Sequence, residues 1–122
     1  MADAFDPQHA ARLEDPARLA ALPPSAVVSL LRLHGNETIV DYGAGTGVYT
    51  IAMAGAVPGG LVVAVEAAPR LAEMLRTRIT PDLEDRVQLI QTDINAVPLL
   101  NAGADRVVMV DVLHHVYDEP AR

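Results

Sequence analysis

A carboxylate beside a glycine turn is the arrangement in this sequence best suited to chemistry. Asp41 stands two residues before Gly43 in the stretch Thr38-Ile-Val-Asp41-Tyr-Gly43-Ala-Gly45-Thr-Gly47-Val-Tyr49. Gly43 permits a tight turn, Gly45 lets backbone approach a bound molecule, and Gly47 starts a helix close to the preceding strand. An anion at this place repels a pyrophosphate and attracts an ammonium or, at longer range, a sulfonium. Amides at the helix start remain for a carboxylate on the same ligand. The dinucleotide fingerprint would need glycine at position 48, which is Val48, and the phosphate-cradling loop would need a lysine that does not follow.

Three further places extend this set. Glu66 ends a second apolar run, 23 positions after Gly43 (66 − 43). A carboxylate at that spacing accepts hydrogen bonds from both ribose hydroxyls. Alone it would read as an exposed loop acid; beside the glycine turn it reads as a ribose ligand. Asp93 closes a third apolar run, followed by Ile94. Asp93 can accept from the exocyclic amine of adenine, while the Ile94 amide donates to a ring nitrogen. The plainer alternative is a turn made by Asp93-Ile-Asn95. In Asp105-Arg-Val-Val-Met-Val-Asp111-Val-Leu-His114-His115, Asp105 opens a strand and Asp111 closes it. His114 and His115 are weak candidates for a general base, because imidazole titrates near neutrality. They lack a third partner at metal-ligand spacing, so no metal is expected.

The elements that position these residues alternate. Asp15-Pro16 caps a short helix near 16–22, and Pro23-Pro24 stops it. A second helix runs from about Ser25 to Leu33, with His34-Gly35-Asn36 ending it. Strands are expected over Thr38–Tyr42, Leu61–Glu66, Val87–Gln91 and Arg106–Asp111, and helices over Gly47–Gly55 and Pro69–Ile79. Met74 and Leu75 are expected in the core. Tyr42 and Tyr49 flank the glycine turn, and Tyr49 is read as core, with contact to ligand or acceptor as the alternative. The continuous apolar character of Leu61–Val65 marks a strand buried on both faces. Strand–helix alternation implies right-handed crossovers and a parallel α/β sheet.

Taken together, the motifs between Thr38 and Tyr117 resemble the class I S-adenosylmethionine-dependent methyltransferases of the small-molecule type. The resemblance implies a Rossmann-like three-layer fold with seven strands ordered 3-2-1-4-5-7-6. It implies S-adenosyl-L-methionine as cofactor, with Asp41, Gly43, Gly45, Gly47 and Asp111 at the methionine end, Glu66 at the ribose, and Asp93 with Ile94 at the adenine. It implies methyl transfer to a small-molecule acceptor near His114 and His115. The chain reaches only the fourth strand of that pattern, so it is expected to be the cofactor-binding portion of a longer protein, or a truncated gene product. Residues 1–36 are read as a helical lead-in or lid and 37–122 as the incomplete domain. A nicotinamide-dependent oxidoreductase and a non-catalytic cofactor-binding module are the alternatives.

Composition narrows the setting. The 122 residues suit one modest domain, with 51% hydrophobic and 20% charged residues. A net charge of −7 opposes broad contact with a nucleic-acid backbone. The absence of cysteine excludes disulfides, thiolate catalysis and zinc-thiolate sites. No apolar run approaches the ~20 residues of a membrane span, and the acidic N-terminus lacks a signal-peptide pattern. A cytoplasmic location is therefore expected.

Overall fold

The computed structural model describes residues 15–92 and 103–110. Helices α1 (Pro16–Ala21) and α2 (Pro24–Leu31) precede β1 (Thr38–Tyr42), α3 (Val48–Ala56), β2 (Leu61–Glu66), α4 (Pro69–Arg78), β3 (Val87–Gln91) and β4 (Arg106–Val108). The four strands form one parallel sheet in the order β3-β2-β1-β4. The chain builds outwards from β1 to β3 and then returns to the other side of β1. Ligands of α/β sheets bind at such a reversal, at the C-terminal ends of the central strands.

The register sorts the side chains between two faces. Asp41 lies opposite Ala64 on β2 and Val108 on β4. Ile39, Asp41, Val62, Ala64 and Glu66 therefore share one face. Ile39 and Val62 pack there with Val27 of α2 and with Tyr49, Met53 and Ala54 of α3, while Ala64 meets Leu75 of α4. Val40, Tyr42, Val63 and Val65 are buried on the opposite face. Burial on both faces explains why β2 lacks polar alternation before Glu66.

Three local expectations are corrected. Helix α2 ends at Leu31, before Gly35, because Arg32 itself takes the left-handed conformation (φ 52°). The strain of that conformation in a non-glycine residue is offset by Arg106, whose guanidinium donates to the carbonyls of Leu31 (2.8 Å) and Arg32 (3.3 Å). Gly35 (φ 112°) serves the next turn, where its carbonyl accepts from the Gly59 amide at 2.8 Å. Strand β4 stops at Val108, short of Asp111, because its partner β1 turns away at Gly43 soon after the Asp41–Val108 pair. Met74 is exposed on α4, since its neighbours Leu71 and Leu75 already supply the buried stripe.

Other expectations hold closely. The strands over 38–42, 61–66 and 87–91 have the anticipated bounds. Asp105 opens β4 by accepting from the Thr38 amide at 2.9 Å, while its own amide donates to the Thr38 carbonyl at 2.8 Å. Among the described residues, no helix is long and apolar enough to cross a membrane.

Candidate functional site

The site is built at the top of β1 and β2. The amides of Gly43 and Ala44 both donate to the Val65 carbonyl, at 2.8 and 3.0 Å, so the turn hangs from the end of β2. Gly43 (φ 67°), Gly45 (φ 62°) and Gly47 (φ 92°) are all left-handed, a run that side-chain-bearing residues resist. Gly47 caps α3, and a methyl group placed on it would stand 2.7 Å from Leu75 Cγ. The third glycine therefore lets the start of α3 pack against Leu75 of α4.

Glu66 lies at the centre of the turn. Its Oε1 accepts from the Gly45 amide at 2.7 Å and its Oε2 from the Ala68 amide at 3.0 Å. Both oxygens are thus fixed by backbone donors, in a residue only 8% exposed. A carboxylate oxygen has more than one lone pair, so each retains capacity for a hydroxyl donor.

Asp41 is the more deeply placed carboxylate, 3% exposed. Thr50 of α3 donates its hydroxyl hydrogen to Asp41 Oδ2 at 2.6 Å. Burial pushes the Asp41 carboxyl up to about 7, with the Thr50 hydrogen bond opposing the rise and the nearby Glu66 charge adding to it. The pair forms an acidic floor under the glycine turn. Such a floor suits a cationic nucleoside and disfavours a polyphosphate.

Asp41, Gly43, Gly45, Gly47 and Glu66 thus come together around one turn. Asp93, Ile94, Asp111, His114 and His115 lie outside the described residues. Sequence reasoning passed over two partners. Thr50 is visible only as a polar, β-branched residue in an apolar helix, nine positions after Asp41. The Ala68 amide carries no sequence signal, since any residue but proline supplies one. Tyr49, expected in the core, is buried and also donates its hydroxyl to the Leu22 carbonyl at 2.8 Å, tying α3 to the end of α1. Among the described residues, no group of three acidic or histidine side chains is placed to hold a metal ion.

A parallel sheet reversing beside β1, with a glycine turn leading into α3 and an acid ending β2, is the Rossmann-like methyltransferase fold. The family described as "Methyltransferase domain" matches residues 39–122, and the chain belongs to it. No curated protein matches the sequence. Among solved structures, it is similar to a SAM-dependent methyltransferase from Aquifex aeolicus, at 25% identity and TM-score 0.73, over 86% of this chain and 56% of that one. It is also similar to protein arginine methyltransferase 10 of Arabidopsis thaliana, at 27% identity and TM-score 0.65, over 84% of this chain and 28% of that one. Coclaurine N-methyltransferase, solved with N-methylheliamine and SAH, shares the fold at 19% identity and TM-score 0.64, over 78% of this chain and 27% of that one. The chain therefore spans little more than half the length of the first of these relatives and less than a third of the other two.

Proposed function

We propose that this chain is the donor-binding part of an enzyme that transfers a methyl group from S-adenosyl-L-methionine to a small-molecule acceptor. The observation that carries the reading is Glu66, whose carboxylate is held by the Gly45 and Ala68 amides on the same face as buried Asp41. The donor set fits a cationic adenosyl ligand: fixed acceptors, a turn of left-handed glycines, and acidic groups beside it.

In this reading, the bound donor supplies an electrophilic methyl group on a sulfonium. Glu66 accepts from the two ribose hydroxyls and so fixes the direction of the sulfur–methyl bond. Asp41 holds negative charge towards the ammonium of the amino-acid end, while amides at the start of α3 face its carboxylate. Asp93 and Ile94 would take the adenine, and Asp111 would border the methionine end. The protein contributes alignment and exclusion of water. A small-molecule acceptor is supported by the Asp105–His115 run, which resembles the fourth-strand motif of methyltransferases with such acceptors. His114 and His115 then stand nearest the acceptor.

Calorimetric titration of the purified protein with S-adenosylmethionine, S-adenosylhomocysteine and NADH tests the proposal. The two adenosyl amino acids should bind, and Glu66→Ala should weaken both by roughly ten-fold or more, the worth of a charge-assisted hydrogen bond. NADH should not bind, because Asp41 opposes its pyrophosphate and Val48 stands where the dinucleotide fingerprint needs its third glycine. Binding of NADH alone, or unchanged affinities in Glu66→Ala, would sink the assignment.

A further inference from the structure

We propose that Thr50 is a positioning residue of the donor site, one that orients Asp41 towards the amino-acid end of the ligand. The inference rests on the reading of Asp41 given above and adds a residue to it. A threonine hydroxyl within a helix commonly donates to the backbone carbonyl one turn earlier. Thr50, the third residue of α3, instead donates to Asp41 Oδ2 at 2.6 Å. Its side chain is fully buried, so the single hydroxyl hydrogen is committed to the carboxylate in a place without bulk water. An aspartate has only two side-chain torsions, and a bond to one oxygen fixes where the other lies. The bond also joins β1 to the first turn of α3 across the glycine turn. Carboxylate and helix-start amides are thereby held in one rigid relationship, facing the two opposite charges of an amino-acid group.

A purely structural threonine would be exchangeable for valine of equal shape, with any loss spread evenly over all ligands. A positioning threonine makes a sharper demand. Thr50→Val should lower affinity for S-adenosylmethionine and S-adenosylhomocysteine by roughly ten-fold, the scale of one hydrogen bond to a charged group. Affinity for 5′-methylthioadenosine, which has the same adenosine but no amino-acid end, should stay within about two-fold. Thr50→Ser keeps the hydroxyl and should restore the first two affinities.

Calorimetry on the wild-type protein and both variants, with all three ligands, reads this split. Equal weakening of all three ligands in Thr50→Val overturns the inference, as does no weakening of any. Failure of Thr50→Ser to recover the amino-acid-bearing ligands overturns it too. If Thr50→Val does not fold, the serine variant still decides: wild-type affinities for all three ligands support the inference, and weakened binding of S-adenosylmethionine and S-adenosylhomocysteine removes it. Failure of the wild-type protein to bind S-adenosylmethionine would instead strike the functional reading, so the two failures are distinguishable.

Discussion

Asp41 and Glu66 leave neighbouring parallel strands on the same face of the sheet, Asp41 opposite Ala64 and Glu66 one pleat repeat further along. Asp41 is the deeper of the two, and burial raises its carboxyl from 3.8 to about 7, with the Thr50 hydrogen bond opposing the rise and the Glu66 charge adding to it. A ligand cation at this place would reverse the effect.

The first prediction concerns pH and Asp41. Its folded value lies above its unfolded one, so its contribution to stability is full below about 3.8 and is lost as pH rises towards about 7. Ligand-free protein should therefore lose stability across that window, and Asp41→Asn should flatten the dependence. An ammonium ligand favours the ionised carboxylate. Affinity for S-adenosylmethionine should thus rise with pH up to about 7, then fall above about 8 as the ligand's own amine deprotonates. Calorimetry in buffers of different ionisation enthalpy should detect proton release below the peak. Proton uptake there would contradict the assignment.

Glu37 predicts the opposite sign on the acid side. The His34 amide, helped by that of Gly35, holds its carboxylate down at about 2 against the opposing effect of burial. Its contribution is present above about 4.5 and disappears as pH falls towards about 2. Glu37→Gln should remove part of the acid sensitivity of denaturation while leaving the neutral-to-alkaline limb unchanged. An unaltered acid limb would show that the 34–37 turn does not depend on this charge.

Gly47→Ala should destabilise the protein by about 2–4 kcal/mol, combining a left-handed backbone with an overpacked contact. The contact part is specific to Leu75, 2.7 Å from where the methyl group would fall. A Gly47→Ala, Leu75→Ala double variant should therefore be more stable than the sum of its single variants implies. Urea denaturation of the four proteins measures the coupling, and strict additivity would show that Leu75 yields freely.

Tyr42→Phe should raise stability by up to about 1 kcal/mol, because it removes a buried polar atom without costing a bond. The Tyr42 hydroxyl is buried on the face opposite Asp41 and has no hydrogen-bond partner among the described residues. Chemical denaturation checks the sign. A loss of stability would mean that the hydroxyl has a partner beyond the described residues.

Much of the fold was legible because burial on both faces writes a continuous apolar run. Leu61–Val65 announces itself, and so do the glycines at 43, 45 and 47, whose backbone conformations other residues resist. Where local chemistry decides an end, the signal is true. Asp105 and Pro69 mark element starts correctly. The end of α2 was not legible, because the bond that lets Arg32 go left-handed comes from Arg106, more than seventy residues away. For the same reason Thr50 passed as ordinary helix filling: its role exists only once α3 folds back on β1. Met74 had helical spacing but fell just outside the stripe that Leu71 and Leu75 define.

The Arg106 clamp on the carbonyls of Leu31 and Arg32 has a consequence for the order of assembly. A ribosome delivers α2 first and β4 last among these elements, so the early helix must wait, its final turn unsecured, until a distant strand arrives to close the sheet. Arg106→Ala should accordingly speed hydrogen exchange at the end of α2 before it affects β2, and uniform acceleration through both would argue for a single cooperative unit.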